Sequence, residues 1–90
     1  MTIPTNSDFD KMDSAMSHVL FELVLAGRAK PNVCVTGIRW FIDRDLPYPG
    51  WLISINGLGD TAHMELDTIA LYLREQGYET SNIEILLESE

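Results

Sequence analysis

His18 and Glu22 stand four residues apart, as do His63 and Asp67. On a helix that spacing puts both side chains of a pair on one face. An imidazole beside a carboxylate offers two ligands to a divalent metal, but a metal site needs a third and a denser cluster of His, Cys and carboxylates. Both pairs therefore read as charge patterning on solvated helix faces, and no metal or other cofactor is expected. Gly57-Leu58-Gly59-Asp60 lies between a strand pattern and a helix start, where a phosphate-cradling turn would sit. It lacks the lysine of a P-loop and the third glycine of the dinucleotide fingerprint, and Asp60 would repel a phosphate from the helix amides. A tight turn with an acidic cap is expected instead. No Ser–His or Cys–His spacing and no placed carboxylate pair specifies a nucleophile or an acid–base couple, so the chain is not expected to be an enzyme. Cys34 is the single cysteine. In a strand it is expected to pack as a small hydrophobe, and no intrachain disulfide can form, which favours the reducing cytoplasm.

The elements that must position these residues follow from periodicity. Phe9, Met12, Met16, Val19, Leu20, Leu23 and Val24 recur at spacings of three and four, the stripe of an amphipathic helix. Ser7 with Asp10 would cap its start, and Gly27 followed by Pro31 would end it. Phe21 and Leu25 fall outside that stripe, so the C-terminal half of the helix is expected to be covered on more than one side. Residues 33–42 are rich in β-branched and aromatic types. Alternation breaks at Gly37, and a bulge there would return Val33, Val35, Ile38, Trp40 and Ile42 to one face. A turn over 43–50 leads to a second strand with Trp51, Ile53 and Ile55 inward. A second helix, capped by Asp60 or Thr61, carries Ala62, Leu66, Ile69, Ala70 and Leu73 on its inner stripe and ends at Gly77. The last strand places Ile83, Ile85 and Leu87 inward, with Glu84 and Glu88 outward. The predicted fold is α+β in the order αββαβ: a three-stranded, mainly antiparallel sheet with two helices packed on one face. It forms a single domain over residues 1–90, with residues 1–6 a flexible N-terminal segment. The longest apolar stretch, Val19 to Ala26, is interrupted by Glu22 and is far short of the roughly 20 residues a membrane span needs. No secretory signal is visible at the start.

The charge is distributed unevenly. Residues 1–44 balance Asp8, Asp10, Asp13, Glu22 and Asp43 against Lys11, Arg28, Lys30, Arg39 and Arg44. From residue 45 onward Asp45, Asp60, Glu65, Asp67, Glu75, Glu79, Glu84, Glu88 and Glu90 face Arg74 alone, so the net charge of −8 lies in the second half. Such a one-signed surface repels nucleic acid and anionic membrane and attracts basic partners. Direct nucleic-acid binding is not expected, because no basic cluster exists.

Within the acidic half, Met64 and Leu71 point away from the inner stripe of the second helix, among Asp67, Thr68 and Glu75. Two apolar residues a heptad apart inside a rim of acids form the pattern of a docking patch. Tyr48, flanked by Pro47 and Pro49, is a further candidate anchor at a loop tip. Asp60, Glu84 and Glu88 extend the acidic field. The far face of the sheet, with Phe41, Leu52 and Leu86, is less polar than a solvated face and hints at a homodimer or a partner surface.

In size and charge the chain resembles the small acidic inhibitors made by phages and plasmids, anti-restriction and anti-CRISPR proteins among them, and acidic immunity proteins and antitoxins. That resemblance implies a protein-binding module whose carboxylates mimic the phosphates of DNA and occupy a basic, nucleic-acid-handling surface of a partner protein. The alternative from a different class is a homo-oligomeric structural or scaffold subunit without catalytic activity, whose acids serve solubility.

Overall fold

The periodic segments resolve into α1 (Asn6–Leu25), β1 (Cys34–Phe41), β2 (Gly50–Asn56), α2 (Ala62–Glu75) and β3 (Ile83–Glu88), with a 3-10 turn over Thr80–Asn82 leading into β3. The computed structural model describes residues 4–41, 50–59 and 62–88. The α+β class and the order of elements are those the sequence indicates.

α1 starts earlier than Ser7. Thr5 is extended, its hydroxyl accepts from the Asp8 backbone N–H at 3.3 Å, and the Asp8 carboxylate accepts from the Thr5 N–H at 2.8 Å. Two otherwise unpaired donors of the first turn are thereby satisfied reciprocally. Ser7 lies inside that turn, and Thr5 and Asn6, expected in a flexible segment, are the cap and the first helical residue. The Thr5 backbone N–H and hydroxyl, with a contribution from Lys11, hold the Asp8 carboxyl below the ordinary carboxylate range.

Both helices stop by the same device. After α1, Gly27 takes φ 74°, its N–H reaches the Val24 carbonyl at 3.0 Å, and the Arg28 N–H reaches the Leu23 carbonyl at 2.8 Å. After α2, Gly77 takes φ 96° and the corresponding bonds join Gly77 to Arg74 and Tyr78 to Leu73, each at 3.0 Å. This is the Schellman pairing, in which a left-handed glycine turns the chain back to satisfy the last carbonyls. It also fixes the direction of the next residue, which matters for Arg28.

β2 is the central strand. It pairs antiparallel with β1 and parallel with β3. The sheet is mixed: the β1–β2 ladder is antiparallel as expected, and β3 joins it parallel because the chain leaves β2, crosses through α2 and returns in the same direction, as a helical crossover requires. The register of β1 slips between Val35 and Gly37, so that Val35 faces Ile55 while Ile38 faces Ile53 and Trp40 faces Trp51. The bulge restores one apolar face, as the broken alternation indicates. Glycine is not what makes it possible: Gly37 lacks a positive φ, and a Cβ there would meet nothing within 4 Å. Two other positions demand glycine: Gly57, with φ 96° and the Val33 Cα 2.9 Å from where a Cβ would stand, and Gly50, where a Cβ would collide with the Asn82 carbonyl oxygen.

Met12, Met16, Ile53, Ile55, Ile69 and Leu73 are fully buried, and the core around them draws on α1, β2 and α2. α1 lies against β1 and against α2. Phe9 and Trp40 each meet Trp51 edge-on, at 5.1 and 5.4 Å between ring centres, an arrangement favoured by the ring quadrupoles. Three expectations fail at the periphery. Phe21 and Leu25 are 60% and 67% exposed, so this chain leaves the outer side of the end of α1 uncovered. Leu87 is exposed although its parity is that of Ile83 and Ile85, because it pairs near the end of an edge strand. Cys34 is exposed and does not pack as a core residue. Ile42 lies outside the described residues.

Candidate functional site

α2 carries its chemistry on two opposite sides. On the inner side, Ile69 and Leu73 are buried and so is Glu65, at 2% exposure. The inner stripe is thus rotated from its expected centre: Leu66 and Ala70 are half-buried, and Glu65 takes the place of an apolar residue. Its carboxylate is met by Arg28. The guanidinium Nε donates to Oε1 at 3.1 Å, and Nη2 stands 3.0 Å from Oε2, an ionic contact whose angle falls short of a hydrogen bond. Nη2 also donates to the Thr68 hydroxyl at 3.1 Å. The turn at Gly27 is what delivers Arg28 to this point. A buried carboxylate is tolerated only when so paired, and Glu65 accordingly adds nothing to the outward acidic field.

On the outer side, Met64 and Leu71 are 61% and 54% exposed, and Asp67 and Glu75 are exposed beside them. The helix brings these four candidate residues onto one face, as their spacing requires. No ion pair joins Asp67 or Glu75 to a base among the described residues. The single base of this half, Arg74, donates to the Thr80 hydroxyl at 3.3 Å. The apolar pair therefore sits beside carboxylates whose charge no base among the described residues neutralises. Glu84 and Glu88 are exposed on β3 rather than on α2. Glu88 is engaged, accepting a hydrogen bond from the Thr36 hydroxyl of β1. Tyr48 and Asp60 lie outside the described residues.

The histidines do other work. His18 stacks on Tyr72 of α2, with ring centres 5.4 Å apart and planes 22° from parallel, and its Nε2 is 3.5 Å from Glu22. It is thus half of a contact between the helices as well as a solvated residue. His63 is exposed. Among the described residues no three His, Cys, Asp or Glu side chains stand where they could hold a metal. Among them, too, no helix is long and apolar enough to cross a membrane.

One feature of α2 escaped the spacing argument. The Arg28–Glu65–Thr68 cluster joins residues 37 and 40 positions apart, and an acid between Ala62 and Ile69 in a helical stripe was the one available clue. Chemically, the outer face of α2 offers thioether and branched-aliphatic surface with negative charge at its border.

No family model, curated protein or solved structure matches the chain. Function must come from the geometry.

Proposed function

We propose that this chain is a small acidic protein-binding module whose docking surface is the outer face of α2, and that its partner presents a basic surface of the kind that handles nucleic acid. The observation that carries the proposal is the exposure of Met64 and Leu71 beside Asp67 and Glu75, whose carboxylates have no ion pair among the described residues. Large apolar side chains at the centre of a patch supply affinity, and a charged border supplies steering and selects the sign of the partner. A net charge of −8 adds long-range attraction to a Lys/Arg groove. The mode of action follows: the module inhibits or regulates by occupying the groove that nucleic-acid phosphates would fill, as the phage and plasmid inhibitors of anti-CRISPR or anti-restriction type that it resembles in size and charge would do. It acts by binding, without catalysis, in the cytoplasm.

The test is capture from lysate on the immobilised chain, washed at rising salt, followed by displacement of nucleic acid from the purified partner. The expected result is a basic nucleic-acid-handling protein released between about 0.1 and 0.5 M salt, as screening weakens exposed charge. The Asp67→Lys/Glu75→Lys variant should neither capture it nor displace nucleic acid. Capture that ignores the charge reversal would contradict the proposal.

A second function has its own support. Leu86 and Leu87 of β3 are 43% and 44% exposed, as are Phe21 and Leu25 of α1 at 60% and 67%, which suits a homo-oligomeric scaffold subunit. A salt-insensitive oligomer with no basic partner would establish that function in place of the first.

A further inference from the structure

Among the described residues β1 has a partner on one side only, since β2 is its single neighbour in the sheet. Its free side opens into a groove. A pocket of about 400 Å³ is lined by Leu20, Phe21 and Val24 of α1 and by Val33, Cys34 and Val35. Successive residues of a strand point to opposite faces, so a cavity that touches Cys34 and Val35 together reaches the backbone of β1 and not one of its faces alone. A second pocket of about 290 Å³ continues along the same two elements, between Phe9, Asp10 and Asp13 of α1 and residues from Val35 to Ile38. Val35 and Ile38 both line it because the bulge between them returns them to one side. The two pockets share Asp13 and Val35 and so adjoin end to end as a channel in two parts, apolar beside Phe21 and acidic beside Asp10.

We infer that this channel receives an extended, basic peptide segment of a partner protein, which adds to the sheet as a fourth strand along β1. An unpaired strand edge supplies main-chain donors and acceptors for such a segment, and a wall alongside it reads alternate side chains. Here the wall is α1. It runs from Asp10 and Asp13 beside the middle of β1 to Phe21 and Val24 beside its start. A segment antiparallel to β1 therefore places a Lys or Arg near its N-terminus against the two aspartates, and an apolar or aromatic side chain near its C-terminus against Phe21. Neither Asp10 nor Asp13 has an ion pair among the described residues. The charge argues against a second copy as the occupant: each chain carries −8 and would bring its own Asp10 and Asp13 to the channel. The bulge admits few registers and so discourages indiscriminate edge pairing. This surface is separate from the outer face of α2 and stands or falls independently of it.

The probe is the peptide acetyl-Lys-Thr-Val-Thr-Val-Thr-Phe-amide, titrated into the isotope-labelled full chain at low salt and followed by amide NMR shifts. Shifts are expected along residues 9–24 and 33–38, with alternate β1 amides gaining protection from exchange. Replacing the peptide's Lys by Glu should weaken binding at least tenfold, and Asp10→Asn/Asp13→Asn should abolish that preference. Met64→Ser/Leu71→Ser should leave the peptide's affinity unchanged. Equal binding of the Lys and Glu peptides would overturn the inference. So would shifts confined to α2, an absence of shifts at 2 mM peptide (roughly the weakest affinity a specific groove would show), or a dimer of the chain that itself protects the β1 amides.

Discussion

The two sides of α2 invert the usual placement of residue types. The inner side buries a carboxylate, Glu65, and the outer side exposes Met64 and Leu71. The difference shows that position is decided by what stands opposite. Glu65 points inward because Arg28 meets it there with two nitrogens and Thr68 holds the same guanidinium. Met64 and Leu71 have no such counterpart among the described residues, which is the physical case for a counterpart outside the chain.

The contrast can be broken most forcefully at its core. Ile69→Ala removes a fully buried side chain of the inner side and should cost about 3 kcal/mol in urea unfolding. Leu71→Ala, two residues away on the outer side, should stay within about 0.5 kcal/mol of the parent. Similar costs at the two positions would show that the outer face is structural after all.

Next in size is the buried pair. Arg28→Ala should destabilise by about 2 kcal/mol, at the low end for a broken buried pair because the arginine is itself half-exposed. Adding Glu65→Met should recover most of that loss, since a neutral side chain of similar volume needs no partner. A double variant as unstable as the single would mean that Arg28 contributes through packing and not through charge.

The smallest effect concerns an exposed acid that, unlike Asp67 and Glu75, is fully engaged. Asp8 has its pKa lowered by the Thr5 hydrogen bonds. A depressed carboxyl stabilises the fold above its unfolded pKa, about 3.9, and that stability is lost as pH falls through the lower folded value. Asp8→Asn should therefore flatten part of the acid limb of the stability–pH curve below about pH 4. Urea midpoints between pH 2 and 6 (the range over which carboxylates of roughly ordinary pKa titrate) would measure it, and an unchanged limb would contradict it.

Much of this architecture is legible in residue spacing. The core stripe of α1, the bulge that restores the inner face of β1, the inward Trp51, Ile53 and Ile55, and the outward Met64 and Leu71 all follow from periods of 3.6 and 2. What spacing misses depends on partners far away in sequence. Glu65 is outward by any rule that treats acids as solvated, until Arg28 is brought to it by the turn at Gly27. The parallel pairing of β3 depends on how the α2 crossover returns. The channel between α1 and the edge of β1 exists because two segments lie side by side, and no residue pattern marks it. The choice of Thr5 over Ser7 as cap is different in kind: both frames place an Asp three residues on, and only the reciprocal hydrogen bonds distinguish them.

The central claim is that the outer face of α2 serves a partner and not the fold. Its most direct test is the Met64→Ser/Leu71→Ser variant, measured for unfolding free energy and for capture of the basic partner. The expected result is a stability within about 0.5 kcal/mol of the parent with capture abolished. A loss of stability above about 1 kcal/mol, or capture that survives, would contradict it.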